Sequence, residues 1–86
     1  MLQSMDEAME RQQIKFSIQT VTFAIEDMLK KGETHMYYSN IVKGDRLYGP
    51  GILQRHIIYV LVFLQEKYRG KVVISRTPGG IVVHRV

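Results

Sequence analysis

The chain has 86 residues, 45% of them hydrophobic, and carries 12 Lys and Arg against 8 Asp and Glu for a formal charge of +4. A chain of this size buries only about 60% of its extended surface, enough for one small core, so a multi-domain enzyme is excluded. It has no cysteine, which excludes a disulfide scaffold, thiolate-held zinc or iron–sulfur centres and a thiol nucleophile. The longest apolar run, residues 57–64, falls far short of the ~18–20 residues of a membrane span. The first residues, Met1-Leu2-Gln3-Ser4-Met5-Asp6-Glu7, lack the basic start and apolar stretch of a secretion signal. A cytoplasmic protein without a membrane partner is the expectation.

In chain order, Ser4 and Glu7 fit a capping box that opens a helix. Ile14, Ile18, Val21, Ile25 and Met28 recur at helical spacing as one apolar seam. Lys30, Lys31 and Gly32 supply cations for the last turn and a left-handed cap. Ile14, Phe16 and Ile18 also alternate as in a strand, but no turn signal interrupts residues 4–32, so helix is preferred. Such a helix is about 40 Å long, beyond the ~26 Å expected across so small a domain. Part of it must project, bend or pack on a partner. Residues 1–13 are read as an extension or dimer contact and 14–86 as the domain proper.

An extended His35-Met36-Tyr37-Tyr38 should follow, then a short helix capped by Ser39 with Ile41 and Val42 inward, and a break at Gly44. Gly49-Pro50-Gly51 fits the start of a second long helix, closed by Lys67, Arg69 and Gly70. Its segment 57–64 is apolar on every face, as in a wholly buried helix or a strand. Finally, residues 71–77 and 81–86 are β-branched runs around Pro78-Gly79-Gly80, a hairpin with Pro and Gly suited to a type II turn. Arg76 and Arg85 share one alternation with Ile74, Ile81 and Val83, which leaves neither face purely apolar.

Charge is unevenly spread. Arg11, Lys15, Lys30 and Lys31 against Asp6, Glu7, Glu10, Glu26 and Asp27 leave residues 1–32 at −1. Lys43, Arg46, Arg55, Lys67, Arg69, Lys71, Arg76 and Arg85 against Glu33, Asp45 and Glu66 leave residues 33–86 at +5. A basic segment of this kind suits a polyanion, because cations that neutralise phosphates release counterions. It also suits a merely solvated surface.

The Ser39 cap, the Gly44 break, the helix opened by Gly49-Pro50-Gly51 and the hairpin at Pro78-Gly79-Gly80 give an order that resembles the winged-helix form of the helix-turn-helix DNA-binding fold. The resemblance implies an α+β, mainly helical chain: long N-terminal helix, short strand, two helices and C-terminal β-hairpin. It also implies that the start of the helix at Pro50 enters the major groove while the hairpin touches backbone. On that basis Lys43, Arg46, Tyr48, Gln54, Arg55, His56, Lys71, Arg76, His84 and Arg85 are the candidate DNA contacts. Arg55 suits guanine and Gln54 adenine. Ile14, Ile18, Val21, Ile25 and Met28 are the candidate homodimer seam, since paired half-sites match two-fold symmetry.

The function expected is a DNA-binding transcriptional regulator or nucleoid-associated architectural protein. The alternative is a protein-interaction module docking through the first helix or the hairpin edge. Tyr37, Tyr38 and Tyr48 are candidates for stacking on single-stranded nucleic acid, or are ordinary core aromatics. No enzyme, cofactor or metal site is indicated: His35, His56 and His84 have no ligand-like spacing, and Gly49-Pro50-Gly51 lacks the length and ending of a phosphate loop.

Overall fold

A computed structural model describes residues 5–39, 41–42 and 51–86. Helix α1 spans Met5–Lys30 and is followed by β1 (His35–Tyr38), β2 (Ile41–Val42) and β3 (Ile52–Leu53). A single 3-10 turn, Gln54–His56, leads directly into α2 (Ile57–Lys67), and β4 (Val72–Thr77) and β5 (Gly80–Arg85) complete the chain. The fold is α+β: β1, β5 and β4 form an antiparallel sheet in that order, and β2 and β3 form a separate parallel pair.

Helix α1 runs unbroken through residues 13 and 14 and ends where the cap was expected. Gly32 takes φ +72°, its N–H donates to Leu29 O, and the Glu33 N–H donates to Met28 O, the paired bonds of a Schellman cap. Ser4 of the capping box lies outside the described residues. Gly70, at φ +82°, closes the turn after α2 in the same left-handed region.

Three expectations change. Ile41 and Val42 pair with Ile52 and Leu53 as strands, where a short helix was predicted. Both are β-branched and pair in register, which outweighs the Ser39 cap signal. The second helix begins at Ile57 after a 3-10 turn, later than Pro50, because Ile52 and Leu53 are fully buried in the strand pair. The hairpin turn also differs: neither Gly79 nor Gly80 takes a positive φ, so it is not type II. Thr77 pairs with Gly80 across a two-residue loop. A Cβ at Gly80 would lie 2.1 Å from Tyr38 O, so this glycine is required by the approach of β1.

The core lies between α1, α2 and the inner face of the sheet. It is built from Val21, Ile25 and Met28 of α1, Ile57, Val60 and Leu64 of α2, and Val72, Ile74, Ile81 and Val83 of the hairpin. The hairpin register pairs Ile74 with Val83 and Arg76 with Ile81, and Val72 with Arg85. Arg76 and Arg85 thus share the inner alternation yet are exposed. A helix of α2's length is about 16 Å long and covers only the middle rungs, so both arginines emerge at the ends. Tyr68 closes the core and donates its hydroxyl to Glu26 Oε1 at 2.6 Å. Burial, reinforced by the Glu26 carboxylate, pushes its phenol above the usual range.

The predicted dimer seam is corrected here. Val21, Ile25 and Met28 belong to this chain's own core, and only Ile14 and Ile18 keep partial exposure. α2 departs from expectation in the other direction. It is a helix, but Ile58, Tyr59, Val62 and Phe63 stand exposed on its outer side, so the all-round apolar pattern does not reflect complete burial.

Candidate nucleic-acid interface

The 3-10 turn before α2 presents Gln54, Arg55 and His56 in succession, and their side chains go to different places. Gln54 and Arg55 are exposed, whereas His56 is only 1% exposed. The imidazole is turned inward toward α1, where its Nε2 lies 2.6 Å from Glu10 Oε1. It is therefore a packing and positioning group, without a side chain on the surface.

Arg55 meets the same carboxylate. Its Nε donates to Glu10 Oε1 at 2.7 Å and its Nη2 to Oε2 at 3.2 Å, the two-pronged geometry in which guanidinium matches carboxylate best. The Arg55 bonds and then the His56 bond hold the Glu10 carboxyl well below its usual range, at about 2. The guanidinium expected to read guanine is thus committed to α1. Glu10 lies 45 residues from Arg55 in sequence, and no local spacing marks it.

Gln54 and Arg76 are brought together. They line one cleft of about 140 Å³ with Ile41, Ile57 and the turn Thr77-Pro78-Gly79-Gly80. The start of the helical segment and the tip of the hairpin therefore line one cleft.

The other candidates are dispersed. Lys71 and Arg85 sit at the far end of the hairpin, where Arg85 pairs with Val72. That is four residues along the strand from Ile81, the partner of Arg76, or about 13 Å. His84 lies on the outer sheet face opposite His35 of β1, with ring centroids 6.0 Å apart. Lys43, Arg46 and Tyr48 lie outside the described residues. Tyr37 and Tyr38 are in β1, where Tyr37 is exposed and its hydroxyl accepts from Thr77 Oγ1 at 3.4 Å, while Tyr38 packs against the core.

No family profile, curated protein or solved structure matches the chain. The functional reading therefore rests on its own geometry. Among the described residues, no group of three or more His, Asp and Glu side chains is placed to hold a metal ion. No helix among them is long and apolar enough to cross a membrane.

Proposed function

We propose that the chain is a non-enzymatic double-stranded DNA-binding protein of the winged-helix type, acting in the cytoplasm as a transcriptional regulator or nucleoid-associated protein. The observation that carries the reading is the shared cleft of Gln54 and Arg76. It joins a helix start to a hairpin tip on one edge of a segment whose net charge is +5. Gln54 suits the N6 and N7 edge of adenine, and Arg76 suits a phosphate on the flanking backbone. Lys71 and Arg85, at the far end of the hairpin, serve longer-range attraction. The ion pair of the exposed Arg55 with Glu10 occupies the strongest base reader, so sequence preference is modest and the salt-dependent backbone term dominates.

Fluorescence anisotropy with a random-sequence duplex at two salt concentrations tests this. Binding weakens steeply with salt, and Arg76→Ala lowers the logarithmic salt slope by about 1 for all sequences. Gln54→Ala leaves that slope unchanged and flattens sequence preference. Binding that ignores salt, or no binding at low salt, overturns the proposal.

A further inference from the structure

A second concave feature lies away from the Gln54–Arg76 cleft, between α1 and the outer edge of α2. It is a groove of about 610 Å³ with Ile14 and Ile18 in its lining, bounded on α2 by Phe63 and Lys67 and on α1 by Phe23. Phe23 is 77% exposed, and Phe16, Tyr59 and Phe63 stand about half in water. Ile58 and Val62 extend the same outer surface of α2, and Met9 falls one heptad before Phe16, itself one heptad before Phe23. With ~200 Å² per aromatic side chain, the four aromatic residues alone leave roughly 470 Å² of surface in water, toward the upper end of the ~300–600 Å² of a typical monomer's largest patch. That is more than half of the ~800 Å² that each partner contributes to a standard stable interface.

We infer that a second copy of this chain covers the groove, with the two α1 helices antiparallel about a two-fold axis beside Ile18 and Gln19. The α1 positions lining the groove are symmetric about that point, and their chemistry is complementary when the helix is reversed on itself. Antiparallel pairing sets Ile14 against Phe23 and Lys15 against Thr22 of the second copy, with Ile18 against Gln19 at the centre, and lays Arg11 over the Glu26 carboxylate that also accepts from Tyr68. A parallel pairing sets like charges together at both ends. Isologous contact of this kind closes on itself as a dimer, and α2 flanks the pair on each side through Phe63, in the manner of a four-helix bundle. The seam is a different face of α1 from Val21, Ile25 and Met28, which the chain's own core consumes.

Sedimentation of the full chain, alone and without DNA, tests the inference. The expected result is a dimer that Phe23→Asp converts to a monomer with unchanged circular dichroism and melting cooperativity, Phe23 being too exposed to support the fold. A cysteine-free chain also permits a register test under mild oxidation. Gln19→Cys cross-links copies through the central position, whereas Lys30→Cys, at the helix end, does not. A monomer at sub-millimolar concentration overturns the inference and leaves the groove to a different chain. Retention of the dimer by Phe23→Asp overturns the choice of face, and equal cross-linking at both cysteine positions overturns the antiparallel arrangement. None of these readouts depends on DNA, so the two proposals fail separately.

Discussion

Gly79 and Gly80 are adjacent in the hairpin turn, yet alanine at each has a different consequence. A Cβ at Gly80 meets Tyr38 O at 2.1 Å and Ser39 Cα at 3.0 Å, both backbone atoms. Relief of that clash requires β1 and β5 to part by about 1 Å, which breaks the nearest hydrogen bonds of the ladder. Overpacking costs about 1–3 kcal/mol and each lost bond about 0.5–1.5 kcal/mol, so Gly80→Ala destabilises by about 2–4 kcal/mol. At ~4–8 °C per kcal/mol for a domain of this size, the melting temperature falls by about 8–32 °C. A Cβ at Gly79 meets only the Tyr37 hydroxyl at 3.0 Å, the movable end of an exposed side chain, and its backbone has no positive φ. Gly79→Ala therefore stays within about 0.5 kcal/mol of the parent. Thermal melts by circular dichroism measure both. Equal melting temperatures for the two variants, or a loss at Gly79 alone, refute close strand approach as the reason for glycine.

The ionised Glu10 carboxylate is favoured by the fold, since its pKa falls from the usual 4.5 to about 2. Its contribution is therefore complete above about pH 4.5 and is lost as pH drops toward 2. Glu10→Gln should flatten that part of the stability profile in denaturant titrations at stepped pH. The same substitution weakens the two-pronged hold of Glu10 on Arg55 and removes a negative charge near the proposed DNA surface. DNA affinity at low salt therefore rises and guanine preference appears, as anisotropy with defined duplexes will show. Leu64 is fully buried among α1, α2 and the hairpin, so Leu64→Ala costs about 2–5 kcal/mol, read as a shift in urea midpoint.

Elements set by local chemistry were legible in the sequence. The α1 seam, the cap at Gly32, the extended His35–Tyr38 and the terminal hairpin all depend on spacing or on neighbouring residues, and each forms near its expected place. Residues 41–42 and 52–56 were misread because Ser39, Pro50 and the adjoining glycines give helix signals, while the pairing of Ile41 with Ile52 joins residues that no local pattern relates. Helical periodicity located the apolar seam of α1, but could not say whether Val21, Ile25 and Met28 would meet their own α2 or another copy. The same limit hid Glu10, whose role depends on a contact across 45 residues. Charge arithmetic marked Arg55 and Arg76 alike. Tertiary structure distinguishes them, because one is held by α1 and the other lines a cleft with Gln54.

The position of β5 in the middle of its sheet bears on how the chain folds. Its pairing with β4 crosses a two-residue turn, whereas its pairing with β1 joins Tyr38 to Ile81. Closing the second ladder thus encloses a loop of some forty residues that contains α2, and the entropy of ordering that loop is spent before β1 gains its ladder bonds. The hairpin is the natural template and β1 the late arrival. Among the described residues β5 is the only strand that pairs with β1, so a strand from the second half of the sequence is the one that fixes a segment from the first half.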